Sequence, residues 1–192
     1  MVQPKKRTTP LTKDEIVDRA LAIVDERGLD GLSMRRLAEE VGVEAASLYH
    51  HVPNKEALLD AVLSRVRSEI RVPDPLPEDW RDLIEAIFDE YRRVLAAHPA
   101  LIPLAGKRVE TDPDSGLVFL TQMGFSENDA VELWQSLIAF VVGFSMFSSA
   151  YARSDTFDLP TDLAKRMSEW RDETCKQSLR MLIDGYDQAR QG

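Results

Sequence analysis

The sequence predicts an all-α protein, a small N-terminal three-helix unit followed by a larger helical body. Apolar residues recur every three or four positions through most of the chain, the helical period. Good N-caps and glycine or proline stops bracket each periodic run. No segment alternates apolar and polar residues as a half-buried strand does, and no internal repeat is visible.

Residues 1–11 hold two prolines, three cations and no periodicity, and read as a basic arm. Thr12 with Glu15 is a capping box opening a first helix, whose stripe Ile16, Ala20, Ile23 and Val24 stops at Gly28. Ser33 caps a second helix over 34–41, closed by Gly42, and a third covers 45–51 before Val52-Pro53. Asn54 caps a fourth over 55–71, with Ala57, Leu58, Ala61, Val62 and Val66 inward, and three prolines between 72 and 77 end it. A fifth helix spans 78–98 on Trp80, Ile84, Ile87, Tyr91 and Leu95 and stops at Pro99. After a short segment over 100–105, residues 106–115 read as loop and 116–123 as a short helix ended by Gly124. Ser126 opens a long helix to about residue 153 with two apolar stripes: Ala130, Trp134, Leu137, Val141 and Phe144, then Phe140, Gly143 and Phe147 about 100° away. A helix apolar on two sides needs two partners. A loop over 154–160 and a short helix precede a final helix over 172–190, with Cys175, Leu179, Leu182 and Tyr186 at helical spacing.

Composition excludes several classes. The longest unbroken apolar run, residues 137–144, is too short for a membrane span, and no apolar core follows Lys5, Lys6 and Arg7 as in a signal peptide, so the expected location is cytoplasmic with no membrane partner. One cysteine cannot close an internal disulfide, and His50, His51 and His98 show no metal-ligand spacing, so neither metal nor cofactor is expected. Net charge is −9, yet residues 1–70 carry 11 basic and 12 acidic side chains, leaving most of the negative charge beyond them. A local basic surface can therefore meet phosphates despite an acidic body.

The informative stretch is residues 33–55. A helix-turn-helix needs a small residue where its helices cross, a glycine in the turn, and a few apolar anchors beneath an otherwise polar second helix. Ala38, Gly42 and the set Leu37, Val41, Val43, Leu48 and Val52 meet these needs. With Leu48 inward, Glu44, Ala45, Ser47, Tyr49, His50 and His51 form the candidate outward face. Arg35 and Arg36 lie on the preceding helix, where DNA contact and a solvated face are competing readings. Lys55 at a helix N-terminus opposes the macrodipole, which an external phosphate would explain. The basic arm reads either as a minor-groove contact or as a solubilising tail. The domains so read are 1–11, the arm; 12–53, the helix-turn-helix; and 54–192, the body.

The pattern LAxxxGVxxxxLYxHVxNKxxLLDA, residues 37–61, resembles the DNA-binding end of the TetR family, especially its tetracycline-repressor branch. The resemblance implies a third helix in the major groove, Tyr49 and Lys55 on phosphates, Arg35 on bases, and Ser47 and His51 as further groove contacts. Ala45 and Ala46 depart from that branch and imply a different operator, with methyl contacts to thymine as one means of reading it. In the body, Trp80-Arg-Asp-Leu83, the Gln-x-Gly-Phe-Ser step from Gln122 to Ser126, and Leu182-Ile-Asp-Gly-Tyr186 resemble the same branch's sensing domain. That implies a homodimer in which the long helix and the last helix pair with their copies, through Phe140, Gly143, Phe144, Ser178, Leu182 and Gly185. Burial of the long helix wholly within its own chain is the other arrangement that satisfies its two stripes. The partner DNA is then a double-stranded palindrome with half-sites one helical turn, or a multiple, apart.

The expected effector is a small, mostly apolar molecule. Its candidate contacts are Phe88, Tyr91, Leu95, His98, Leu104, Phe119, Gln122, Met123, Trp134, Ile138 and Phe147, for which plain core is the competing reading. The branch's metal-chelating histidine has no counterpart in residues 102–107, so a magnesium–tetracycline effector is not expected. Helix four, with Asn54 and Lys55 near the DNA end and Ala61, Val66 and Ile70 toward the body, is the expected lever between the two sites. An enzyme is the main rival and is not expected: no phosphate loop, GxSxG or paired nucleophile and base is present. A helical protein-interaction module without specific DNA binding is the alternative.

Overall fold

The computed structural model describes residues 10–107, 116–153 and 171–191, and every described element is helical. Among the described residues nine α-helices run in order: α1 (Lys13–Arg27), α2 (Met34–Val41), α3 (Ala45–Tyr49), α4 (Lys55–Arg67), α5 (Trp80–Ala97), α6 (Ile102–Lys107), α7 (Gly116–Gln122), α8 (Glu127–Arg153) and α9 (Arg171–Gln191). Single 3-10 turns occupy Leu29–Gly31 and Pro99–Leu101. The chain divides into two compact units between Glu69 and Ile70.

The first unit follows its caps. The Glu15 N–H donates to Thr12 Oγ1 at 3.2 Å while the Thr12 N–H donates to Glu15 at 3.0 Å, closing the capping box on α1. Ser33 and Asn54 accept from the Arg36 and Ala57 amides and start α2 and α4. Gly42, at φ 73° and ψ 38°, ends α2 in the left-handed region, with the Val43 N–H returning to the Ala38 carbonyl at 3.0 Å. Ile16, Ala20, Val24, Leu37, Leu48, Leu58 and Val62 are fully or almost fully buried and make one small core. Burial of each such aliphatic side chain is worth about 1.5–3 kcal/mol.

In the first unit two helix ends differ from the sequence reading. Helix α3 closes at Tyr49, two residues early, because the His51 and Val52 amides both turn back to the Leu48 carbonyl. Helix α4 ends at Arg67 and not at 71, where the Ser68 hydroxyl donates to the Arg65 carbonyl at 2.6 Å and competes with the helical ladder. The sequence placed the body's start at residue 54, whereas α4 packs on α1 and lies wholly in the first unit.

In the second unit α5, α8 and α9 pack pairwise around Ile84, Phe88, Leu95, Leu133, Leu137, Val141, Leu179 and Ile183. Asp79 caps α5 and Ser126 caps α8 through the Arg81 and Asp129 amides. Gly106 and Lys107, expected in a loop, complete α6. The rest of that expected loop, 108–115, and the expected loop and short helix over 154–170 lie outside the described residues. The core face of α9 is Cys175, Leu179, Ile183 and Asp187, with Leu182 half-buried beside it. Asp187 is buried and paired with Arg81, which stacks over Trp80 at 4.8 Å. Hydrogen bonds to Asp79 and Asp187 hold the Arg81 guanidinium above its ordinary range despite desolvation. Arg180 does the same between α9 and α5, bonded to Asp82 and Glu85.

Candidate DNA-reading face and sensing unit

Helices α2 and α3 present the outward surface that the sequence outlined. Leu48 is fully buried and pins α3, while its neighbour Tyr49 is 51% exposed. Glu44, Ala46, His50 and His51 are exposed, and Ala45 and Ser47 are half-buried on the same short helix. Glu44 sits at the N-cap of α3 without capping it through its side chain. The Arg35 side chain is 88% exposed and makes an i,i+4 pair with Glu39 at 3.0 Å.

Two cations behave otherwise. Arg36 is half-buried and its Nη1 donates to the Gly31 carbonyl. Lys55 is half-buried, with Nζ 3.5 Å from the Leu29 carbonyl, an internal partner the sequence did not reveal. Also missed were the ion pairs Arg19–Glu40, between α1 and α2, and Asp18–Arg65, between α1 and α4. Their spacing is long-range and leaves no local signature, unlike Arg35–Glu39, which the i,i+4 rule would have found. The hydrogen bond from Arg19 holds the Glu40 carboxyl below its usual range.

In the second unit Phe88, Tyr91, Leu95 and Leu104 are buried, and Trp134, Ile138, His98 and Phe119 are half-buried. Phe88 and Trp134 meet edge to face with centroids 5.0 Å apart. The Trp134 ring lies against the backbone of Gly116, where a Cβ would stand 2.0 Å from Cζ3. Gln122 and Met123 are exposed at the end of α7. Phe147, which the sequence placed in the pocket, is 70% exposed. At 100° per residue it falls beside Phe140 and Gly143, away from Trp134 and Ile138. The described surface also holds a groove of about 390 Å³ between α5 and α9, lined by Asp82, Glu85, Ala86, Asp89, Glu90 and Lys176 and by none of the expected effector contacts. Among the described residues, no group of three potential ligands is placed to hold a metal ion.

The long helix has an uncovered apolar side. Within its 127–149 stretch the most apolar 18-residue window has mean hydropathy 1.6, apolar enough by composition to cross a bilayer although its unbroken run is short, and only 33% of that window is buried in the chain. Met146 and Phe147 on α8 and Met181 on α9 are 50%, 70% and 74% exposed. Phe140, Gly143 and Phe144 on α8, and Ser178 and Leu182 on α9, are half-buried, and Gly185 is exposed. Neither Gly143 nor Gly185 has a neighbour within 4 Å of the place a Cβ would take.

A helix-turn-helix with an open reading face, joined to a helical unit with its own core, defines a one-component type of transcriptional regulator. The chain belongs to the TetR family: residues 16–62 match the bacterial regulatory proteins of the tetR family, and residues 72–173 the tetracyclin repressor-like C-terminal domain. It is 34% identical over 172 residues to an HTH-type transcriptional regulator of Saccharopolyspora erythraea, covering 86% of this chain and 73% of that one. It is 32% identical over 191 residues to the tetracycline repressor protein class A from transposon 1721 of Escherichia coli, covering 94% and 83%. Among solved structures it is similar to the TetR family protein ActR of Streptomyces coelicolor in complex with actinorhodin, with TM-score 0.76, 29% identity, and 93% and 96% of the two chains covered.

Proposed function

We propose that this regulator is a cytoplasmic, non-enzymatic repressor that holds a palindromic operator as a homodimer and whose grip is modulated by a small, mostly apolar effector taken up by the second unit. One observation carries the DNA reading: α3 buries only Leu48 and leaves Glu44, Ala46, Tyr49, His50 and His51 exposed, as a helix reading a major groove requires. Arg35, Ser47 and His51 meet base edges in the groove, and Tyr49 and Lys55 hold phosphates. The open faces of α8 and α9, with Phe140, Gly143, Phe144, Ser178, Leu182 and Gly185, meet their copies in the partner. Effector contact falls to Phe88, Tyr91, Leu95, Leu104, Trp134 and Ile138. ActR, solved in complex with actinorhodin, supports a small-molecule effector.

The test is selection of bound fragments from a genomic library at fixed salt, followed by titration of the selected site with aromatic metabolites that shift the protein's melting. A palindrome enriched over random duplex, with affinity altered by at least one such compound, is the expected result. Uniform binding to all fragments would overturn the operator reading.

A further inference from the structure

Two cations from different helices converge on one three-residue turn. From α2, Arg36 donates to the Gly31 carbonyl; from the first position of α4, Lys55 reaches the Leu29 carbonyl at 3.5 Å. The turn is tight. The Gly31 N–H donates to Gly28 at 3.0 Å, the Leu32 N–H to Leu29 at 3.2 Å, and a Cβ on Gly31 would stand 2.5 Å from Arg27 Cβ.

Helix α2 buries few side chains. Its buried residues are Leu37 and Ala38, neighbours on one side, and α3 adds only Leu48. Arg36 and Glu40 stand one turn apart on α2 and are tied respectively to the turn after α1 and to Arg19 of α1. Arg35 and Glu39, one residue back on each turn, are left on the exposed flank.

We infer that Arg36 is a positioning residue of the DNA-reading face, its bond to the Gly31 carbonyl setting how α2, and α3 behind it, stand on α1, and that it supplies no charge to the phosphates. This deepens the operator-binding reading and rests on it. A charge-assisted hydrogen bond to a backbone carbonyl is geometrically strict, so losing it frees a helix whose side chains must meet base edges within tight limits.

The experiment uses the full chain with a fragment selected from a genomic library and a random duplex of equal length, across a salt series, at temperatures where circular dichroism shows each variant folded. Arg36→Ala lowers affinity for the selected fragment by about tenfold, on the scale of one hydrogen bond to a charged group, with the slope of log affinity against log salt unchanged. Arg36→Lys, which can still reach a carbonyl, recovers most of the loss. Gly31→Ala leaves every cation in place and gives a similar loss, and combining it with Arg36→Ala adds little, since both act through one contact. If Arg36→Ala does not fold, Arg36→Lys and Gly31→Ala carry the test. A slope shallower by about 0.9 would make Arg36 a phosphate contact and overturn the inference. So would a folded variant that melts earlier yet binds with wild-type affinity. A wild-type chain that prefers no fragment overturns the operator reading itself, an outcome distinct from a preference the variants leave untouched.

Discussion

Gly116 opens α7 directly beneath the Trp134 ring, and replacing it with alanine sets a new Cβ 2.0, 2.4 and 2.9 Å from three ring carbons. No rotation of a methyl relieves three such overlaps, so the indole or the start of α7 must move. Overpacking of this kind costs about 1–3 kcal/mol. If the indole is what moves, the edge-to-face contact with Phe88 goes too, about 0.5–1.5 kcal/mol more. For a chain of this size each kcal/mol lowers the melting midpoint by roughly 2–4 °C, so Gly116→Ala should melt about 2–18 °C early. Calorimetry gives the midpoint and tryptophan fluorescence reports the moved indole. Trp134→Leu in the same chain should restore part of the loss, because the smaller side chain clears the methyl. A Gly116→Ala protein with wild-type midpoint and emission would refute this packing and, with it, the placing of Trp134 over α7.

Tyr49→Phe and Lys55→Ala should weaken binding to selected and random duplexes alike, and Lys55→Ala should flatten the salt slope by about 0.9; an unchanged slope in the filter-binding series would leave Lys55 serving only the Leu29 carbonyl. Met181→Asp and Gly185→Arg, at positions open in the single chain, should shift light-scattering mass to the monomer at micromolar concentration without lowering helical content. The Glu40 carboxyl lies below its ordinary 4.5 in the folded chain because Arg19 hydrogen-bonds it, so its contribution is complete above about pH 4.5 and is lost as pH falls through the lower folded value. Glu40→Gln should therefore flatten the acid limb of a stability profile measured by urea melts. Among the described residues the buried Ser145 hydroxyl has no hydrogen-bond partner, and Ser145→Ala should raise stability by about 1 kcal/mol; a loss of that size would mean the hydroxyl is satisfied in solution.

The helices were legible because their punctuation is local. Thr12–Glu15, Ser33, Gly42, Asn54 and Ser126 each act over three or four residues, and each does in the fold what its spacing implied. What the sequence concealed is what depends on distant partners. Nothing near Arg36 or Lys55 announces that they end on carbonyls of a turn five and twenty-six positions away. On α9, Leu182 and Ile183 are adjacent and equally apolar, and only the packing of α5 and α8 decides which turns inward. Phe147 shows a similar ambiguity: a helix apolar on two sides offers two faces, and periodicity does not say which is the core.

Helix α9 divides its circumference three ways: Cys175, Leu179 and Ile183 toward the core, Lys176, Arg180 and Asp184 along the ionic side shared with α5, and Ser178, Met181 and Gly185 on the open side. These three sets do not overlap, so residues on the open side can change without disturbing those that shape the interior. If the open side meets a second copy as proposed, the choice of partner can drift along one stripe of one helix while the core and the ionic side are inherited intact.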